Sequence, residues 1–240
     1  MYVFYRSDHR SLVIFTFMEK IFSPEFHQFF IDLAPNNNKD WFDSNRSRYE
    51  KFVKDPFRLF VQQLINAFAE VDPKFKEVEP KDCIFRINRD IRFSKDKTPY
   101  KIQMSAVISP AGRKSRALDG VYIELTPEHV RVYGGIYEVD RDDLMRIRLG
   151  IADNLKEFRG LIGDTLFIET FGELRGDKNK VLPKELKEIA ADEPLLFNKQ
   201  WYFFTEFEPE VILEDKLVDR VVDVYKTARP IENFFNRFLK

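Results

Sequence analysis

Cysteine, histidine and patterned glycine are all scarce in this chain. Cys83 is the one cysteine in 240 residues, which excludes an intrachain disulfide and suits a reducing compartment. The three histidines, His9, His27 and His129, are scattered, so no zinc-ligand spacing exists and neither a metal nor a cofactor is expected. None of the nine glycines forms a dinucleotide fingerprint or a Walker-type loop, and no Gly-x-Ser-x-Gly elbow marks a hydrolase. Gly160 and Gly163 read as helix termination rather than a nucleic-acid clamp. Long apolar runs are missing too. Leu12–Phe17 falls far short of the roughly 20 residues that span a bilayer. It has no small-residue cleavage site and is followed at once by Glu19 and Lys20, so a cytoplasmic protein with no membrane partner is expected. Charge of one sign is absent overall: 39 Lys+Arg against 40 Asp+Glu give a net charge of -1. That excludes a globally basic nucleic-acid binder but leaves a local basic patch open.

Aromatic residues, by contrast, are plentiful. Twenty-five Phe and a 44% hydrophobic content supply a core for one domain, which at this length buries roughly 70–75% of its unfolded surface. Cys83 is expected to be a small buried residue just before a strand. Residues 1–17 read as a non-core extension ahead of Met18, with packing of 12–17 as an extra strand the alternative. Residues 18–240 read as a single α+β domain without repeats or long linkers.

The N-terminal third shows helical spacing. Ser23 and Pro24 open a helix with Phe26, Phe29, Phe30 and Leu33 on one face. Asp40 caps a second, carrying Trp41, Phe42, Tyr49 and Phe52, and Asp55-Pro56 starts a third that runs to about Val71. The period then changes to two. Ile102 to Ile108 alternates as a half-buried strand, and Val121–Leu125 and Val130–Tyr133 outline a hairpin around Pro127-Glu128. Gly134-Gly135 marks a bulge or a close approach to a ligand. These short links predict an antiparallel meander. Asp140 caps a helix with a stripe from Leu144 to Ile162, while Leu166–Phe171 fits helix or strand. Pro183 opens a short helix and Trp201–Phe207 is a further strand. The C-terminal helices are separated by a break at Pro230. The predicted fold therefore has helices at both ends packed on a mainly antiparallel sheet.

Charge concentrates in one place. Arg86–Lys101 reads RINRDIRFSKDKTPYK, six positive groups against two negative. If 84–93 is extended, Phe85, Ile87, Ile91 and Phe93 share one face and Arg86, Asn88, Asp90 and Arg92 the other. Arg89 falls on the apolar parity, so it is expected to be partly buried with Asp90 or another carboxylate, since a buried guanidinium costs several kcal/mol unless paired. Arginine grips carboxylate or phosphate through paired hydrogen bonds. Arg86, Arg89, Arg92, Lys97 and Tyr100 are thus the candidate ligand-binding residues. Asp90, Asp96, Lys97 and Tyr100 are the candidates for acid, base or charge-stabilising roles. The bland alternative is a salt-bridged network that fixes the sheet to the helical layer. Weaker candidates are Glu206, Glu208 and Glu210 alternating along a strand, the basic loop Arg113, Lys114, Arg116, and Asn36-Asn37-Asn38 as a second wall.

The run Asn36–Phe42 followed by Phe85–Lys101, with its Arg…Arg-Asp-x-Arg-Phe…Asp-Lys…Tyr pattern, resembles a bacterial domain-of-unknown-function family, number 2461, over about Ile21 to Leu239. A looser match continues at Gly176-Asp177-Lys178 and Pro183-Lys184, where Asn179 and Glu185 depart from the pattern. The resemblance implies no activity. The residues themselves suggest binding, with or without turnover, of a small phosphate- or carboxylate-bearing ligand. A nucleic-acid or protein interaction module on the same basic face, and a structural network without any ligand, stand beside it.

Overall fold

The phenylalanine spacing sets the first helical layer. The structure, a computed structural model, describes residues 20–114 and 119–239; the expected extension at 1–17, and Arg116, lie outside the described residues. Helix α1 (Glu25–Leu33) buries Phe26, Phe29, Phe30 and Leu33, the i, i+3, i+4, i+7 face of an amphipathic helix. Ser23 is not its side-chain cap: Pro24 holds the N-cap position, and the Ser23 carbonyl accepts from the Phe26 N–H instead (3.0 Å). Helix α2 (Lys39–Ser44) is capped by Asn38 rather than Asp40, the Asn38 side chain accepting from the Trp41 N–H at 3.0 Å. The chain then passes through α3 (Arg46–Tyr49) and a π-helical stretch, Glu50–Lys54, into α4 (Asp55–Val71). No fresh side-chain cap forms at Asp55, and Pro56 sits in the first turn, where a missing N–H is tolerated. Cys83 ends the short helix α5 (Pro80–Cys83) rather than preceding a strand. Burial pushes its thiol up to about 11, which makes it a packed, inert group.

Four strands follow, β1 (Met104–Ile108), β2 (Val121–Leu125), β3 (Val130–Ile136) and β4 (Trp201–Phe207), in the spatial order of the sequence and all antiparallel. Thr126 Oγ1 accepts the Glu128 and His129 N–H groups at 3.1 and 2.9 Å, which closes the β2–β3 turn. Strand β1 is shorter than expected: Ile102 lies outside it, 39% exposed, and all five residues of β1 are buried. Gly134-Gly135 makes no bulge, since the β3–β4 register runs unbroken from Val130↔Phe207 to Ile136↔Trp201. These glycines instead make room for the Phe203 ring and the Glu232 carboxyl beneath the sheet.

Between β3 and β4 lie four helices: α6 (Arg141–Asp153), α7 (Leu155–Ile162), α8 (Thr165–Phe171) and α9 (Ile189–Asp192). Asp140 caps α6 as its sequence position predicts. The expected single helix to Ile162 breaks at Asn154, whose side chain donates to the Gly150 carbonyl (2.8 Å). The ambiguous 166–171 segment is helical, capped by Asp164. Helix α10 (Leu217–Asn236) continues through Pro230 without the expected break. It packs under β3 beside α4, stacking Tyr225 on Phe68 at 4.1 Å. On the inner face of the sheet, Ala106, Ile123, Val132 and Phe203 are wholly buried against these helices. This is a single α+β domain with helices at both ends of the described chain. Among the described residues no helix is long and apolar enough to cross a membrane.

Candidate functional site

After α5 the chain runs out along the free edge of β1, turns, and returns to enter β1, so that the arginine-rich segment is an arm with two legs. The legs are joined by backbone bonds from Phe85 N–H to Ser105 O (3.0 Å), Lys101 N–H to Ile87 O (2.8 Å) and Arg89 N–H to Pro99 O (2.8 Å). Isolated bridges Ile84↔Ala106 and Asn88↔Tyr100 take the place of a ladder, so the expected strand over 84–93 does not form. Its alternation fails past Asn88: Ile87 is buried, but Phe93 is 95% exposed. The physical reason is that the distal part, 89–99, is held by side-chain bonds rather than by a neighbouring strand.

Those bonds use most of the arm's charge. Arg89, partly buried, donates to Asp96 at 2.5 Å and to the Thr98 hydroxyl and carbonyl; its carboxylate is Asp96, not Asp90. The Thr98 N–H first, then the Arg89 guanidinium, hold Asp96 down to about 2. Arg92 forks onto Asp90 at 2.6 and 2.9 Å, which lowers the Asp90 carboxyl. Lys97 donates to the Ile91 carbonyl at 2.9 Å. Tyr100 is buried, its ring stacked on Phe42 at 4.1 Å. Asn37 clamps its backbone, accepting from the Tyr100 N–H (3.1 Å) and donating to its carbonyl (2.9 Å). The asparagine run thus meets the arm as a fastening, with Asn38 beside it as the α2 cap. Replacing Asn37 by alanine is expected to cost about 1–3 kcal/mol through two lost bonds and a stranded backbone pair. Urea melts would read the loss, and amide exchange at Tyr100 should accelerate.

Among the described residues three cations of the arm are left without a partner: Lys95 on the exposed distal loop, and Arg86 and Lys101 at the base. Arg86 is exposed and Lys101 half-buried; among the described residues neither has an ion-pair partner within 4 Å. The leg pairing sets them near each other, and Lys101 sits over the Phe85 ring at 5.2 Å. Burial first, then the Arg86 charge, lower the Lys101 ammonium.

Phe85 in turn opens onto the outer face of the sheet, where register aligns two cross-strand rows. One is charged, Glu124↔Arg131↔Glu206; the other aromatic, Tyr122↔Tyr133↔Phe204. Arg131 pairs with Glu206 at 2.5 Å. Glu124 accepts from the Tyr122 and Tyr133 hydroxyls, each at 3.2 Å, and from Gln103 at 3.1 Å. Burial pushes the Tyr122 phenol up to about 12. This face is visible in the sequence as the outward set of the β2 and β3 alternation, aromatic or charged rather than small and polar, a signal the arginine cluster overshadows.

The other sequence candidates separate. Glu208 and Glu210 lie past the end of β4, around the 3-10 turn Pro209–Leu213, so the three glutamates do not line one strand. Arg113 donates to the Ile84 carbonyl at the root of the arm. Two buried groups escape the sequence reading. Arg148 has no carboxylate partner among the described residues, donating to the Asn198 carbonyl at 2.9 Å, and burial lowers its guanidinium. Glu232 lies wholly buried under Gly135.

A family model described as a conserved hypothetical protein (DUF2461) matches residues 25–234, a span that takes in the helical layer, the arm, the sheet and nearly all of α10. No curated protein matches the chain. The chain belongs to the DUF2461 family.

Proposed function

We propose that this protein binds a small phosphate- or carboxylate-bearing ligand at the base of the arm, with Arg86 and Lys101 as the anion-contacting pair. The observation that carries this reading is that, among the described residues, these two cations have no acidic partner and stand together at the base of the arm, whereas Arg89 and Arg92 are spent on carboxylates, Lys97 on a carbonyl, and unpaired Lys95 lies on the exposed distal loop. Two like charges held together gain from an anion that bridges them, and half-burial strengthens that gain by reducing the screening water. The internal pairs supply the structural half of the reading: Arg89–Asp96–Thr98 and Arg92–Asp90 shape the distal loop, while Asn37 and Phe42 fix Tyr100 and with it the leg that carries Lys101.

Calorimetric titration with inorganic pyrophosphate tests this. Charge-assisted hydrogen bonds contribute about 1.5–3 kcal/mol each, so Arg86→Ala or Lys101→Ala should weaken binding by roughly 10- to 100-fold. Lys95→Ala removes the same charge from the exposed loop and should leave affinity within about twofold. No heat from pyrophosphate, or an equal loss in all three variants, would refute a local site.

A further inference from the structure

From the cation pair the outer face continues as an unbroken line of rings. Phe85, Tyr122, Tyr133 and Phe204 follow one another at centroid separations of 6.2, 5.4 and 5.0 Å, crossing the sheet from the arm to β4. All four are only partly buried, whereas Ile123, Val132 and Phe203 on the inner face of the same strands are fully covered. Each end of the line carries a cation on a ring: Lys101 over Phe85 at 5.2 Å and Arg175 over Phe204 at 4.3 Å. Arg175 reaches this position because its backbone pairs with Tyr202 along the β4 edge (2.7 and 3.1 Å), and its Nη1 is shut off from solvent without an acceptor.

We infer that this face binds single-stranded nucleic acid, with bases stacked along the four rings and backbone phosphate held by Arg86 and Lys101 at one end and Arg175 at the other. The inference rests on the anion site proposed above, because that pair fixes where the backbone enters. Three features favour this occupant. Half-exposed rings in series need flat, unpaired partners, and single-stranded bases present such faces where a duplex hides them. One base covers one ring, so a line of four calls for a polymer rather than a lone nucleotide. Cations at both ends of an aromatic row match a ligand whose charge recurs along its length, and an arginine plane is itself a stacking surface. An acidic peptide would satisfy the cations and leave the rings bare. Beside the row, Arg131 lies between Glu124 at 3.8 Å and Glu206 at 2.5 Å, and both tyrosine hydroxyls donate to Glu124, which leaves one carboxylate charge on the face against the three cations Arg86, Lys101 and Arg175 at its ends.

Fluorescence anisotropy with a labelled oligothymidylate of about 12 nucleotides, within the site sizes such surfaces accept, provides the test, beside the matching duplex, an oligoglutamate competitor and the pyrophosphate titration. The expected result is binding to the single strand that weakens about tenfold or more in Tyr133→Leu and in Phe204→Leu, consistent with about 1–3 kcal/mol per stacked base. It should also weaken in Arg86→Ala and fall with added salt. Circular dichroism melts of each variant confirm that it is folded; where Tyr133→Leu does not fold, Phe204→Leu carries the test. Pyrophosphate binding without oligothymidylate binding would overturn the single-strand inference and leave the anion site standing; binding of neither would overturn both. Equal affinity for the duplex, displacement by oligoglutamate at equal charge, or full binding by both ring variants would each overturn base stacking.

Discussion

Replacing Gly135 with alanine is expected to lower stability by about 2–5 kcal/mol, the largest single effect predicted for this fold. Gly135 has φ near +90°, a conformation that costs an L-residue with a Cβ about 1–2 kcal/mol. It also lies where β3 and β4 come close: an added Cβ would overlap the Trp201 carbonyl oxygen and stand 3.0 Å from the Tyr202 Cα and 3.2 Å from the Phe203 ring. The neighbour in conflict is the backbone of Trp201, the first residue of β4, whose wholly buried side chain holds it in place near the end of the ladder, and overpacking of this kind adds about 1–3 kcal/mol. At about 2–4 °C per kcal/mol for a domain of this size, the melting temperature should fall by roughly 10 °C. Gly160→Ala provides the contrast, since nothing lies within 4 Å of an added Cβ there. A melting temperature for Gly135→Ala within a degree or two of wild type would mean that β3 and β4 do not approach as described.

The second large effect depends on pH. Glu232, on α10, is wholly buried, and burial raises its carboxyl well above the ordinary value. One oxygen accepts from the Gly135 N–H at 3.4 Å and the other has no partner. The Tyr225 hydroxyl and the Arg229–Asp72–Asp119 network are the polar groups around it. A folded-state pKa raised above the unfolded value means that the folded chain keeps a proton the unfolded chain releases. The associated stability is fully present below about pH 4.5 and is lost as pH rises towards the folded-state pKa, at about 1.4 kcal/mol per pH unit. Glu232→Gln removes this titration while keeping an acceptor for Gly135. Its stability relative to wild type should therefore grow as pH rises above about 4.5, by up to about 1.4 kcal/mol per pH unit until the folded-state carboxyl ionises, measured by urea melts from about pH 4 to 7. A difference that does not change with pH would place Glu232 in contact with solvent or with a cation.

The fold was largely legible because most elements are long and strongly periodic. The Phe stripes of α1 and α4 and the alternation of β2 and β3 each leave one answer. What misled was local punctuation overridden by packing. Pro230 reads as a break, yet α10 is apolar on both sides of it, and Tyr225, Ile231 and Phe235 stay buried in line. Asp40 and Ser23 look like caps, but Asn38 is better placed to reach the Trp41 N–H, and Pro24 takes the position that Ser23 would need. The candidate site was legible as a place but not as a division of labour. Counting charge in 86–101 finds the arm; which arginines are consumed by Asp90 and Asp96 depends on how the loop closes, and that closure follows no periodicity. Arg86 and Lys101 stand fifteen positions apart and become neighbours only when the two legs pair. The aromatic row is likewise spread over four separate segments: the alternation of β2 and β3 turns Tyr122 and Tyr133 outward, but nothing in the sequence signals that Phe85 and Phe204 join them on that face.

The division of the arm into a self-paired loop and an open cation pair is most directly tested by mapping pyrophosphate onto the isotopically labelled protein by NMR. The side-chain resonances of Arg86 and Lys101, and the ring of Phe85 beneath Lys101, should shift in a saturable manner while the guanidinium signals of Arg89 and Arg92 stay in place. Saturable shifts centred on Arg89, Arg92 and Lys97, with Arg86 and Lys101 unmoved, would contradict the assignment and return the site to the distal loop.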